Sequence, residues 1–227
     1  VTPRLAPSEG LAVLHLFCRL RPDSEAEGIT AAVKAAVDEE HQVVAFSVLG
    51  HKADLGVMIV GPDWNRLRAL QAALQQAGLE VVDSYVSLTE VSEYAKGMPA
   101  EHRAARLHPV LPPEGKRAFC FYPMSKRRGE EHNWYALDFD ARRDLMMEHG
   151  RSGRRFAGRI VQLITGSTGL DDYEWGVTLF GVHPDDIKDC VYTMRFDEAS
   201  AHYAEFGTFY VGIVGAISEV VAAVGLS

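Results

Sequence analysis

The sequence predicts an α+β fold in which two ferredoxin-like βαββαβ units face each other in a dimeric α+β barrel arrangement. Three observations predict it. Apolar runs of strand length and runs of helical period alternate in the order β-α-β-β-α-β over residues 10–95. The same order returns over residues 116–227, with little sequence identity between the halves. Between them, residues 96–115 form a connector in which Gly97, Pro99, Pro109, Pro112, Pro113 and Gly115 interrupt any regular pattern.

Each element has its own signal. Residues 1–9 read as a disordered lead-in. An apolar strand follows at 11–20, and Arg21-Pro22-Asp23-Ser24 turns the chain. Ile29, Val33 and Val37 recur every four residues, the spacing of an amphipathic helix. Strands at 43–49 and 55–60 flank Gly50-His51-Lys52-Ala53-Asp54. Asp63 is placed to cap a second helix carrying Trp64, Leu67, Leu70 and Leu74, and Gly78 is placed to end it. A fourth strand spans 81–91. In the second half the strands fall at 117–124, 159–165, 173–180 and near 206–213, with helices at 140–156 and 184–194.

Composition narrows the function. A chain of 227 residues with net charge -8 is a poor match to nucleic acid or a membrane surface. The apolar C-terminal run is broken by Ser218-Glu219, so no span of the bilayer is expected. Val1-Thr2-Pro3-Arg4 carries no signal-peptide pattern. Cys18, Cys120 and Cys190 are odd in number and far apart, which fits reduced thiols of a cytoplasmic protein, the first two in the core. Basic charge gathers at 116–128 and 151–159, which suits an anionic substrate; a solvated charged face fits it equally well. No GxGxxG, P-loop, GxSxG or HExxH motif is present, which sets aside nucleotide binding, serine hydrolysis and zinc proteolysis.

A few residues are not needed merely to build a core. His149 shares a helical face with Leu145, Met146 and Phe156, and Gly150 and Gly153 sit beside it. Two helical glycines at about 1 kcal/mol each suggest that something flat and large packs there, as a haem-type macrocycle does when a histidine ligates its iron. A core histidine bonded to a backbone carbonyl satisfies the same pattern. Cys120, Tyr122 and Met124 point opposite to Phe119 and Phe121, and Lys126 keeps their parity if the strand continues past Pro123. A tyrosine with a cation along its face can hold a carboxylate near an oxidisable phenol; a buried phenol with one hydrogen bond is the plainer alternative. Gln162 interrupts Ile160-Val161-Gln162-Leu163-Ile164, and its face-mates Ile160 and Ile164 predict an inward amide, met by a ligand, by peroxide or by a backbone group. Arg106, Arg195 and Ser200 read as surface or cap residues or as ligand contacts, and His108 and Tyr135 as cavity neighbours.

Together these motifs resemble a known family. Phe121-Tyr122-Pro123-Met124-Ser125-Lys126-Arg127-Arg128, Asn133-Trp134-Tyr135, Glu148-His149-Gly150, the run from Gly169 to Val177 and the run from Met194 to Ser200 are similar to the coproheme decarboxylases of the chlorite dismutase-like superfamily. The likeness is densest from about Arg106 to Gly212; in the first half it rests on Gly50-His51-Lys52-Ala53-Asp54-Leu55 and the strand order. It implies a cytoplasmic step of haem biosynthesis. Iron-coproporphyrin III, both substrate and cofactor, loses two propionate carboxylates to hydrogen peroxide and becomes haem b. It also implies a homopentamer and a transient contact with a coproporphyrin ferrochelatase. His149 matches the proximal iron ligand, Tyr122 the radical-forming tyrosine and Lys126 the lysine beside the reactive propionate. Gln162 matches the distal amide of one subgroup, and Arg106, Arg195 and Ser200 match propionate anchors; Met124 lies on the same porphyrin-facing strand. Another subgroup uses a distal histidine near the place of His108. Relatives that make oxygen from chlorite carry an arginine where this chain has Gln162. A haem peroxidase, a chlorite-decomposing relative and a non-catalytic haem carrier or sensor remain the alternatives.

Overall fold

The computed structural model describes residues 3–95 and 97–226. Its first half runs β1 (Ala12–Arg19), α1 (Ala26–Ala36), β2 (Gln42–Val48), β3 (Leu55–Gly61), α2 (Trp64–Gln76) and β4 (Glu80–Thr89). The connector carries α3 (Ala100–Leu107). The second half runs β5 (Ala118–Lys126), α4 (Phe139–Arg154), β6 (Ile160–Gly166), β7 (Trp175–Gly181), α5 (Pro184–Met194), α6 (Glu198–Ala201), β8 (Ala204–Phe206), β9 (Tyr210–Gly215) and α7 (Ile217–Ala223).

The strands order as β7-β6-β4-β1-β3-β2-β9-β5-β8, and β7 also pairs with β5, so the sheet closes on itself with β8 outside the ring. The pairings are antiparallel. β4-β1-β3-β2 and β9-β5-β7-β6 are the same arrangement twice, joined by β2–β9 and by a short seam, Leu88↔Gly166 and Thr89↔Thr165, between β4 and β6. Closure leaves no long unpaired edge.

Period-2 alternation divides the side chains between lumen and outer face. The lumen holds Phe17, Phe46, Met58, Phe119, Phe121, Phe180 and Tyr210. Phe17 stacks on Tyr210 at 3.6 Å and Phe46 on Phe119 at 3.8 Å, so aromatic pairs from both halves cross the interior. His15 is fully buried among them, with Nε2 3.0 Å from Thr178 Oγ1. Burial lowers its pKa to about 3, so it is a neutral core imidazole joining β1 to β7.

The outer face of the first half is sealed. Ile29, Val33, Leu67, Leu70, Leu74, Val220 and Val221 of α1, α2 and α7 pack on Leu14, Leu16, Leu55, Val57 and Ile59. Asp63 caps α2 through the Asn65 N–H. Gly78 sits at φ +90°, where a side chain would also meet Asp23 O at 2.5 Å.

Three local expectations change. The connector is not structureless: the stretch from Ala100 to Leu107, rich in Ala and Arg, forms α3 once Pro99 opens it, because good helix formers outweigh the flanking breakers. Residues 3–9 form neither helix nor strand, yet they are tethered: Trp64 N–H donates to Leu5 O at 3.0 Å, and Arg4 pairs with Glu40 at 3.2 Å. Val1 and Thr2, also read as lead-in, lie outside the described residues. The last strand is split into β8 and β9 around Gly207, where a Cβ would lie 2.7 Å from both Pro123 and Tyr173. All three cysteines are buried and unpaired.

Candidate functional site

The second half departs from the first at α4. By topology α4 is the counterpart of α1, which buries Ile29, Val33 and Ala36. The sixteen residues of α4 bury no side chain. The helix leans on α5 and α6 rather than on the strands. Its stripe of Arg142, Leu145, Met146 and His149 is half-buried. A helix whose apolar stripe is only half-covered marks one wall of a ligand site. Neither glycine is required by close packing within the chain: a Cβ at Gly153 would make ordinary contact with Met194 of α5 at 3.6 Å, and one at Gly150 would meet only the end of Arg154.

His149 is held from one side. Its Nδ1 lies 3.2 and 3.1 Å from the two carboxylate oxygens of Asp197 and 3.4 Å from Ser200 Oγ. Burial pushes the Asp197 carboxyl up, but the His149 contact and the Ser200 N–H more than reverse it, so its pKa is lowered. An anionic Asp197 accepts the Nδ1 proton and leaves the Nε2 lone pair free, the tautomer a metal needs. Among the described residues no group of three or more His, Cys, Asp or Glu is arranged to hold a free metal ion. A single imidazole instead suits a metal whose other ligands arrive with it, as in a porphyrin.

The outer face of the second-half strands is the counterpart of the face that helices cover in the first half. Register places Gln162, Leu179 and Cys120 in one row, Ile164, Val177 and Tyr122 in the next, and Gly166, Trp175 and Met124 in a third. Tyr122 is buried, stacked on Phe209 at 4.4 Å and edge-on to Phe206 at 5.6 Å. Burial raises its pKa, so the phenol keeps its proton. Met124 is half-buried two residues further along the same face. Lys126 does keep the parity of Tyr122, since β5 runs through it. Its ammonium, however, is turned toward the helix side: Nζ donates to Ala199 O at 2.8 Å and lies 4.3 Å from the Trp134 ring centroid. Burial lowers its pKa to about 8, with Asp197 and Glu174 pulling it back up.

Gln162 corrects the sequence reading in one respect. Its face-mates are Ile160 and Ile164, but that face is the outside of the barrel, and the amide is exposed rather than inward. Period-2 patterning identifies which residues share a face; it does not tell the lumen from a surface under a stand-off helix. Ser200 is buried at His149, whereas Arg195 is exposed with its guanidinium 4.9 Å from the Phe206 ring centroid. Arg106 is exposed on α3 and His108 at its end; no contact joins either to His149, Tyr122 or Gln162 among the described residues. Tyr135 is half-exposed, with Arg128 5.9 Å from its ring centroid. Sequence reasoning misses Asp197 and Trp134 as site residues. The Asp-x-x-Ser cap pattern at 197–200 is the available signal for Asp197.

A cleft of about 630 Å³ lies on the other side of α5, lined by Cys120, Ile187, Val191, Phe209, Val211 and Ile213 among others. His149 does not line it, whereas Arg195 does.

A model of the chlorite dismutase family matches residues 23–215, and the chain belongs to that family. Within it, the chain is similar to coproheme decarboxylase of Staphylococcus carnosus (strain TM300), 41% identical over 233 residues that cover 91% of this chain and 92% of that protein. A Natronomonas pharaonis protein named as a suspected haem binder is 43% identical over 236 residues, 90% of this chain; the chain spans only 39% of that relative. The solved structure of a haem-binding protein from Thermus thermophilus superposes with a TM-score of 0.85 at 35% identity, covering 99% of both chains. No helix among the described residues is long and apolar enough to cross a membrane.

Proposed function

We propose that this protein is a coproheme decarboxylase, converting two propionates of iron-coproporphyrin III to vinyls with hydrogen peroxide and yielding haem b. The observation that carries the reading is the pairing of a half-buried α4 stripe, whose His149 offers a free Nε2, with a strand face presenting Tyr122. The named likeness to a coproheme decarboxylase supports it. For each propionate, one peroxide and one proton are consumed; one vinyl, one carbon dioxide and two waters form.

Bound coproheme supplies the iron at which peroxide is reduced, and with it the oxidising power. His149 would hold that iron through Nε2, with Asp197 fixing its ring. Tyr122 gives up one electron together with its proton, which its buried setting retains until then. As a phenoxyl radical it would take a hydrogen atom from the propionate carbon next to the ring, which would restore the phenol; the carbon radical would then lose carbon dioxide and a second electron, both electrons passing through the bound group to peroxide. Lys126, with a pKa of about 8, is charged near neutrality and offsets propionate charge from the end of the same strand. Arg195 and Ser200 anchor propionates at the α5–α6 end and Arg106 from the connector. Gln162 assists at the distal face, with His108 the candidate if Gln162 proves dispensable. The three buried thiols suit the cytoplasm. Exposed Tyr192, Val211 and Ile213 supply apolar surface for a homopentamer, and a transient contact with a coproporphyrin ferrochelatase completes the reading.

Titration of the ferric coproheme complex with peroxide tests the activity: mass falls by two carboxyl groups as two vinyls appear. The family name also favours chlorite decomposition, and oxygen release from chlorite without decarboxylation establishes that reading instead.

A further inference from the structure

We propose that Arg142 is a positioning residue: through Tyr94, in the segment that follows β4, it fixes how far α4 stands from the strands, and so where His149 presents its Nε2. The inference rests on α4 being a wall of the porphyrin site. The physical problem is that α4 buries no side chain. An unpacked amphipathic helix has little to fix its position, because most helical stability in proteins comes from the packed face. Its C-terminal half is held by Asp197 against His149 and by Met194 beside Gly153. At the N-terminal end Arg142 is a polar hold beside the Tyr94–Phe139 stack.

The Arg142 guanidinium makes three polar contacts in a fan. Nε donates to Tyr94 Oη at 3.0 Å, Nη1 donates to Leu137 O at 2.7 Å, and Nη2 lies 3.7 Å from Glu93 Oε1. The Tyr94 ring stacks on Phe139 at 5.6 Å and meets Trp134 edge-on at 6.5 Å. Trp134 in turn covers the Lys126 ammonium at 4.3 Å. One planar fork therefore ties the segment after β4 to the first turns of α4 and, through Trp134, to the Lys126 end of the strand face. Arg142 and His149 are seven residues apart, two helical turns or about 10.5 Å along one stripe. A tilt of α4 at Arg142 is carried to the imidazole.

The test is hydrogen exchange on the ligand-free protein, comparing wild type with Tyr94→Phe, which keeps the ring stack and loses only the hydroxyl, and with Arg142→Met. Amides of residues 139–149 are expected to exchange about tenfold faster in both variants, the scale of one lost bond to a charged group, while the β1 and β3 amides keep wild-type rates. Affinity for ferric coproheme is expected to fall about tenfold with the histidine-ligated spectrum retained, because the same ligand is offered from a looser helix. Wild-type exchange in α4, equal acceleration throughout the barrel, or unchanged affinity beside a loosened α4 each overturns the positioning role. If coproheme does not bind the wild-type protein at all, the functional reading fails, and the α4 exchange rates alone still decide whether the clamp exists.

Discussion

His149 Nδ1 lies 3.1 Å from Asp197 Oδ2, and the same carboxylate accepts the Ser200 N–H at 3.0 Å. The carboxylate that caps α6 thus also orients the ring on α4. Asp197→Ala should lower coproheme affinity by roughly tenfold or more, the usual cost of losing the partner of a metal-bound imidazole. Titration of the apoprotein with ferric coproheme measures it. Unchanged affinity means Asp197 is a cap and nothing more.

Tyr122→Phe keeps the stack on Phe209 and loses the phenol. The variant should bind coproheme as wild type does and form no vinyl product under peroxide, read by mass spectrometry. Full turnover removes the radical role from Tyr122.

The Lys126 ammonium has a folded pKa of about 8 against 10.5 for an ordinary lysine. Between those values the unfolded chain binds this proton and the folded chain does not, so its contribution to stability rises with pH. Below about pH 8 the fold carries the cost of a buried charge; that cost is relieved as pH approaches 10.5. Urea midpoints of wild type and Lys126→Met from about pH 7 to about pH 10.5 isolate the effect from other titrating groups. The variant's relative stability should fall by up to about 3 kcal/mol across that range. A constant difference contradicts a buried, strained ammonium.

Gly56 on β3 faces Phe46 on β2, and a Cβ there would lie 2.2 Å from the Phe46 ring. Phe46 is locked against Phe119 across the lumen. Gly56→Ala should destabilise the barrel by about 2 kcal/mol through overpacking, seen as a lower urea midpoint with unchanged slope. No loss of stability means that the aromatic stack has slack.

What is legible in the sequence follows from local physics. The stripe of Leu145, Met146 and His149 and the parity of Tyr122 with Met124 are short-range patterns, and both recur in the structure. The same parity groups Gln162 with Ile160 and Ile164 but points it to the wrong side of the sheet. In the first half the corresponding outer face is sealed by helices, and nothing local reveals that α4 stands off. The Asp197 partnership spans 48 residues, and the turn of Lys126 toward Ala199 depends on the α6 segment; both are set by tertiary packing. The connector helix is hidden because its prolines and glycines flank α3 rather than interrupt it.

The central claim is that Nε2 of His149, steadied by Asp197, is the protein's ligand to a porphyrin iron. Resonance Raman spectra of ferric and ferrous coproheme complexes of wild type and His149→Ala test it most directly. A five-coordinate, histidine-ligated iron in the wild type, with the iron–histidine stretch absent from the variant, is the predicted result. The same stretch in both proteins contradicts it and moves the ligand to another residue.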